Sequence, residues 1–265
     1  VNAPACQRWR DRRGTYRPAG EPIRTADYEV SEIATDREAR AFVERHHYSG
    51  SYPAARARFG LHRRGELVGV AVLSHPPSEA ALLAALPLPC DRLAKVELGR
   101  LVLLDDVPAN GESWFAARAF ELARAAGFEA IVAHSDPEPR STAAGGIVFP
   151  GHLGTIYQAT NAVYCGRTPA RTWRLLPDGS VLSARGLSKL RLKEKGWRYV
   201  VELLLAHGAP APSGDWREWV TLAVETVSRT YRHRGNYRYI WALDRHLRRH
   251  LPEGLAYPKH LLEAA

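Results

Sequence analysis

Apolar positions recur at helical spacing in Ala39, Phe42, Val43 and His46, and Thr35 followed three residues later by Glu38 has the form of a capping box, so the pattern predicts a helix ending near Gly50. Two runs then read as strands, Arg56 to His62 and Glu66 to Ser74. Arg63-Arg64-Gly65 joins them closely enough to predict a hairpin. Pro76 to Pro89 reads as a Pro-punctuated connector. The strongest strand signal is Lys95 to Asp106, with a near-continuous apolar run from Leu101 to Leu104. A loop containing Gly111 opens a helix whose buried stripe is Phe115, Ala119, Leu122 and Ala123 and which Gly127 ends. F-E-A-I-V-A is a short buried strand running into His134-Ser135-Asp136. Strand, loop, helix and strand together predict a βαβ unit, whose helix N-terminus is a natural place for an anion.

The second half is less regular. Pro137 to Gly154 reads as loop, Thr155 to Thr160 as a short helix and Ala162 to Gly166 as a strand. Arg171 to Ser183 reads as a hairpin turning at Pro177-Asp178-Gly179. Leu187 to His207 is a basic, then apolar, helical pattern with a break expected at Gly196, and Pro210 to Gly214 is a linker. A helix is expected over Trp216 to Arg229, a strand over Asn236 to Leu243 and a basic helix over Asp244 to Leu251. Residues 1–24 lack periodicity and read as an irregular basic arm. Residues 25–265 read as one α/β domain, a mixed central sheet flanked by helices with a basic C-terminal helical elaboration, in which 177–215 is an insertion.

Composition adds a partner to this picture. The 265 residues are 45% hydrophobic, enough for a real core. No run of eighteen apolar residues suggests a membrane span, and no signal-like hydrophobic segment is seen, so a cytoplasmic protein without a membrane partner is expected. Cys6, Cys90 and Cys165 are far apart and form no CxxC, which argues against a disulfide framework or a cysteine zinc site. Of 37 lysines and arginines only five are lysines, and the formal charge is +9. A GC-rich genome accounts for part of an arginine bias, but the field still attracts polyanions, and nucleic acid is the expected partner. Lys189, Arg191, Lys193 and Lys195, and Arg232, Arg234 and Arg238 among tyrosines, are the candidate phosphate contacts. The plain alternative is a solvated basic face.

His46, His47 and Tyr48 fall where the first helix ends, next to Ser49 and Gly50. Two readings stand: one histidine closes the helix end while the other packs, or the motif enters a cleft. His46 is read as structural.

The motifs H-H-Y-S-G, E-L-G-R-L-V-L, N-G-E-S-W, S-D-P, G-T-I-Y-Q-A-T-N, N-Y-R-Y-I-W and Y-P-K occur in an order that resembles the Mom-type DNA adenine-modification proteins of bacteriophages, a GNAT-like family. The resemblance runs from about Asp36 to Lys259. It implies transfer of a carbamoylmethyl group to the exocyclic amine of adenine in duplex DNA, protecting phage DNA from restriction, with links to acetyl-CoA and to iron. The residues that match are His47, Tyr48, Ser113, Asp136 and Tyr157.

The chemistry can be weighed beside it. A His or Asp can deprotonate an amine and a Tyr can protonate a leaving thiolate; alternatively His47 and Asp136 would share an iron ion with a phenolate. Gly111 and Ser113 are the candidate contacts to acetyl-CoA or another acyl-CoA. The loop has one glycine where such loops carry more, Glu112 would stand near phosphate, and Ser113 as a helix cap needs no ligand. A base paired inside a duplex must be flipped out to react. Two alternatives remain: a CoA-dependent N-acyltransferase acting on a hypermodified base or another amine, and a non-catalytic DNA-binding protein on the same scaffold. A homodimer is compatible with all three.

Overall fold

The computed structural model describes residues 5–18, 20–76 and 79–259; parts of the expected arm, connector and C-terminal tail lie outside them. In chain order the elements are β1 (Ala5–Arg10), β2 (Arg13–Pro18), β3 (Tyr28–Glu32), α1 (Asp36–His46), β4 (Ala55–Arg63), β5 (Glu66–Ser74), α2 (Glu79–Ala85), β6 (Lys95–Leu103), α3 (Gly111–Ala125) and β7 (Ala130–Ser135). There follow β8 (Arg140–Ser141), β9 (Ile147–Phe149), α4 (Thr155–Ala159), β10 (Val163–Arg167), β11 (Arg171–Leu175), β12 (Val181–Leu182), α5 (Ala184–Leu192), α6 (Arg198–Ala206), α7 (Trp216–Val227), β13 (Arg229–His233) and β14 (Tyr237–Ala242). The order expected of a GNAT-like chain, helix, hairpin, strong strand, helix, strand, short helix, strand and final strand, is the order found.

The chain divides into two compact units. The first comprises the described residues up to His134, Gly154–Gly166 and Tyr237–Tyr257. Its seven-stranded sheet has the order β10-β14-β7-β6-β5-β4-β3. The pairs from β3 to β6 are antiparallel, whereas β6 and β7 are parallel, as a helical crossover through α3 requires. Phe59, Leu61, Leu73, Leu103, Phe115 and Ile131 are fully buried, each contributing about 1.5–3 kcal/mol of transfer free energy.

The position where β6 and β7 meet is decisive. They pair only through Lys95–Ala130, Val96–Ile131 and Glu97–Val132, although both strands run on. Just beyond, β6 is interrupted: Val72 pairs with Arg100 and Leu73 with Leu98, leaving Gly99 as a bulge. A Cβ at Gly99 would lie 2.3 Å from the Ser74 hydroxyl oxygen, so glycine lets β5 approach.

The second unit is Ser135–Leu153 and Arg167–Asn236 with Pro258 and Lys259. It holds the sheet β12-β11-β13 and the pair β8-β9. Leu187, Leu190, Val200, Leu204, Trp219 and Val224 of α5, α6 and α7 form its own apolar cluster. The segment expected as an insertion, 177–215, lies within this unit, whose bounds are wider.

Several local expectations change. The basic arm is not irregular: β1 and β2 form an antiparallel hairpin turning at Asp11-Arg12, both at positive φ. The Pro76–Pro89 connector contains α2, and the loop from Pro137 contains β8 and β9. The run of arginines among tyrosines, Tyr231 to Tyr239, spans the end of β13 and the start of β14, with Arg232 on β13, Arg238 on β14 and Arg234 between them. The helix expected after Asp244 is reduced to a single 3-10 turn, Leu247–His250. Thr35 precedes α1 as expected but makes no side-chain capping bond; Asp36 and Glu38 supply the favourable charge of the first turn.

Candidate active site

The end of α1 is built by the N-terminal hairpin. His46 is buried, and its Nδ1 accepts from the Asp11 N–H at 3.2 Å, so it remains structural as expected. Burial pushes its imidazole below the ordinary histidine range. His47 closes the helix, its N–H donating to Val43 O. Its Nδ1 accepts from the Ser49 N–H at 3.2 Å and stands 2.9 Å from the Ser49 hydroxyl, so the neutral ring carries its proton on Nε2 and donates there. Tyr48 packs on Trp9 at 5.0 Å and on His47 at 4.2 Å between ring centroids. Gly50 takes the expected left-handed conformation four residues past the helix.

Tyr48 lies close enough to Arg100 and Tyr157 to act on both electrostatically. Arg100, on β6 beside the bulge, donates to Ser51 O at 3.0 Å and to the Ser51 hydroxyl at 2.9 Å, fixing the segment after Tyr48. Burial lowers its guanidinium pKa, while Tyr48, Glu97 and Tyr157 lie close enough to act on its charge. Glu97 Oε1 and His134 Nδ1 are 3.2 Å apart, both side chains about one-fifth to one-quarter exposed. With Nδ1–H directed at the carboxylate, the neutral imidazole keeps its lone pair on Nε2.

Strand alternation assigns faces. Ala130 and Val132 share a face with His134, and both pack with Leu82 and Leu86 and with Ile240 and Ala242. Lys95 donates to Leu86 O on that face, and Glu97 shares it. Tyr239 and Trp241 point to the opposite face, where they pack against Tyr157 at 5.3 and 5.5 Å, with Phe120 of α3 5.1 Å from Trp241. The opening between β6 and β7 is therefore flanked by Glu97 and His134 on one face and Tyr157 on the other. Burial pushes the Tyr157 phenol far up, reinforced by Tyr48 and Glu97, so it is a proton donor at neutral pH.

The loop before α3 departs from expectation. Gly111 is the first helical residue, and a Cβ there would lie 2.5 Å from Val107 Cγ1, so this glycine serves packing against the chain itself. Ser113 is not the cap: it is the third residue of the helix, and its hydroxyl donates to Asn110 O at 3.2 Å. Glu112 pairs at 2.7 Å with Arg8, whose side chain is fully buried. Arg8 also donates to the carbonyls of Pro108 at 2.8 Å and Ala109 at 3.0 Å. A helix end that already holds its own carboxylate, entered by a loop whose carbonyls face a guanidinium, does not fit the pyrophosphate of a coenzyme.

Asp136 lies in the second unit, and both of its oxygens are engaged there. Oδ1 accepts from His233 Nε2 and from the Glu138 N–H, both at 3.0 Å, and Oδ2 from Arg140 at 2.6 Å. Burial alone would raise its pKa, but these donors outweigh it and hold the carboxyl below the ordinary range. His233 Nδ1 accepts from the Gly235 N–H, and its ring stacks on Trp173 at 3.9 Å. Glu138 is filled likewise by Tyr231 and by the backbone and side chain of Arg234. Asp136 is an organising carboxylate here, with both oxygens already accepting bonds from its own neighbours. Among the described residues no group of three or more His, Cys, Asp or Glu is placed to hold a metal ion, so the residues do not fit the iron.

The candidate phosphate contacts divide. Arg191, Lys195 and Arg232 are exposed and Lys189 half-buried. Arg234 is tied to Glu138, Arg238 donates to Cys165 O at 3.1 Å, and Lys193 lies 4.4 Å over the Trp216 ring, so these three are engaged by the protein itself.

A sequence profile of the Mom protein family matches residues 27–259. The chain belongs to the Mom protein family. No curated protein matches its sequence. Among solved structures it is similar to a Bacillus subtilis acetyltransferase in complex with CoA, at 11% identity over 81% of this chain and 97% of that one, TM-score 0.34. It is similar to a tandem GNAT protein from the clavulanic acid biosynthesis pathway, at 13% identity over 74% and 66%, TM-score 0.36. An N-acetyltransferase from Staphylococcus aureus Mu50 shares 13% identity over 71% and 68%, TM-score 0.31. No helix among the described residues is long and apolar enough to cross a membrane.

Within this Mom family chain, sequence reasoning missed Glu97, Arg100 and His134. The signal was present: E-L-G-R is a strand carrying two charges around a glycine, which marks a bulge where a buried strand would otherwise be apolar. The hairpin β1–β2, which precedes the matched region, gave no periodic signal because its strands, A-C-Q-R-W-R and R-G-T-Y-R-P, carry no alternation of apolar and polar residues.

Proposed function

We propose that this protein transfers a carbamoylmethyl or acyl-type group to the exocyclic amine of a DNA base, adenine first among them. Membership of the Mom family and the +9 charge support a DNA substrate. The observation that carries the chemistry is the opening between β6 and β7, with Glu97 and His134 on one face and Tyr157 on the other. A flipped base enters from the His134 face. His134 Nε2 takes the amine proton while Glu97 holds the ring and stabilises the imidazolium. One bond forms from the amine nitrogen to the donor carbon, the bond to the leaving group breaks, and Tyr157 supplies the proton that group takes away. Arg100 offers a positive charge to an oxygen that becomes anionic. Lys189, Arg191, Lys195 and Arg232 are the cations available to the DNA backbone.

The test is nucleoside mass spectrometry of plasmid DNA from cells expressing the wild type, Glu97→Gln or Tyr157→Phe. A mass-shifted nucleoside that falls by about 10²–10⁴-fold in the variants is expected, since that is the range of a general acid or base. Unmodified DNA from cells with well-folded wild type would overturn the reading, and undiminished product in Glu97→Gln would overturn the assignment of the base.

A further inference from the structure

If the N-terminus of α3 does not receive a phosphate, a phosphate-bearing donor needs another anion site. One lies along the same helix. A cavity of about 310 Å³ is lined by Ser113, Phe120, Arg124, Asn161, Trp241 and Arg248, among others. Neither Arg124 nor Arg248 has an ion-pair partner among the described residues. The one carboxylate on the wall, Glu121, is paired with Arg118 at 2.7 Å. The floor is aromatic: Trp241 directs its indole N–H to Thr160 O at 3.1 Å, and Phe120 meets its ring edge-on. Two unpaired guanidiniums, a hydroxyl and an amide around an aromatic floor suit a ligand with an organic arm and phosphate groups.

The contrast with the helix end is internal to the molecule. At that end Arg8 is buried and committed to Glu112 and the loop carbonyls, and the Gly111 N–H donates to Pro108 O at 2.9 Å. At the cavity the cations are unpaired and face solvent. Ser113 stands at the boundary, lining the cavity from the first turn of α3. We propose that the Arg124–Arg248 cavity holds the phosphate groups of the donor, a coenzyme thioester, in place of a site at the helix end. This rests on the reading of the protein as a transferase using such a donor.

Isothermal titration of the full chain with coenzyme A, and separately with pantetheine, which has the thiol arm without phosphates, tests it. Coenzyme A should bind the wild type. The double substitution Arg124→Gln/Arg248→Gln should weaken coenzyme A by about tenfold or more and leave pantetheine unchanged, because only charge-assisted bonds to phosphate are lost. Glu112→Gln should leave coenzyme A affinity unchanged, whereas a phosphate at the helix end would bind tighter once that carboxylate lost its charge. A wild type that binds no coenzyme A would overturn the donor reading itself. Binding undiminished in the double variant, or strengthened in Glu112→Gln, would overturn the placement alone, as would equal losses of coenzyme A and pantetheine.

Discussion

Two polar clusters in this protein contain a histidine bonded to a carboxylate, and they differ in what else the carboxylate does. In the first unit Glu97 meets His134 where the pairing of β6 with β7 stops, with Arg100 and two tyrosines nearby. In the second, Asp136 meets His233, and every oxygen of Asp136 and of its neighbour Glu138 already accepts a bond from the protein. A carboxylate bonded by three donors is held ionised and immobile, which suits holding backbone segments together; one with a single histidine partner beside an opening retains the freedom proton transfer requires. The same pair of residue types thus serves structure in one place and chemistry in the other, and the number of bonds decides which.

The largest way to break this comparison is Asp136→Ala. Removing one partner of a buried, charged network leaves His233 and Arg140 facing an apolar gap, and a loss of about 3–5 kcal/mol of folding stability is expected. Urea unfolding followed by tryptophan fluorescence measures it. Glu97→Gln in the same experiment should change stability by less than about 1 kcal/mol, because its side chain is partly exposed. If Asp136→Ala unfolded at the wild-type midpoint and yet left DNA unmodified, the roles assigned to the two clusters would have to be exchanged.

A smaller effect follows from pH. The Asp136 and Glu138 carboxyls are both held below their ordinary values, burial opposing the shift and hydrogen-bond donors overcoming it. A depressed folded pKa means that the unfolded chain binds protons first as pH falls. The stability these groups contribute is therefore complete above about pH 5 and is lost as pH drops from about 4 through the folded values. Unfolding midpoints at pH 7, 5, 4 and 3 should be level and then decline. Glu138→Gln should lower the neutral plateau and flatten the acid decline. An equally steep decline in that variant would locate the acid sensitivity elsewhere.

How much of this was legible beforehand depends on the range of the interactions involved. Helix α3 and strands β5 and β6 carry their own periodicity and were read within a few residues. Tyr48 and Tyr157 were named from motif resemblance, and both lie close enough to Arg100 to act on its charge. Asp136 was named in the same way, but its three donors come from Glu138, Arg140 and His233, the last nearly a hundred residues away, and no local pattern reports that a lone pair is taken. Arg8 is hidden for the same reason: in sequence it is one arginine among several in an apparent arm, and its meaning comes from the carbonyls of Pro108 and Ala109. Glu97 was hidden inside the strongest strand signal, where hydrophobic periodicity drew attention to its neighbours.

The finest test concerns the bulge that shapes the opening. Gly99 and Gly235 sit one in each unit, and both exclude a side chain, but the obstacle differs. At Gly235, with φ +100°, a Cβ would lie 2.0 Å from the Thr168 backbone oxygen, which cannot turn aside. At Gly99 the nearest atom is the Ser74 hydroxyl oxygen at 2.3 Å, followed by Ser74 Cβ and Pro53 Cγ at 3.2 Å. A hydroxyl can rotate, so Gly99→Ala should cost only about 1 kcal/mol, near the lower end of overpacking. Ser74→Ala introduced with it should recover most of that loss, because it removes the closest atom and leaves contacts that need to yield by only a few tenths of an ångström. If the double variant regains stability while product formation stays low, the bulge sets the geometry between Glu97 and Arg100 and not merely the packing of β5 on β6. If stability and product return together, the glycine is there for close approach alone.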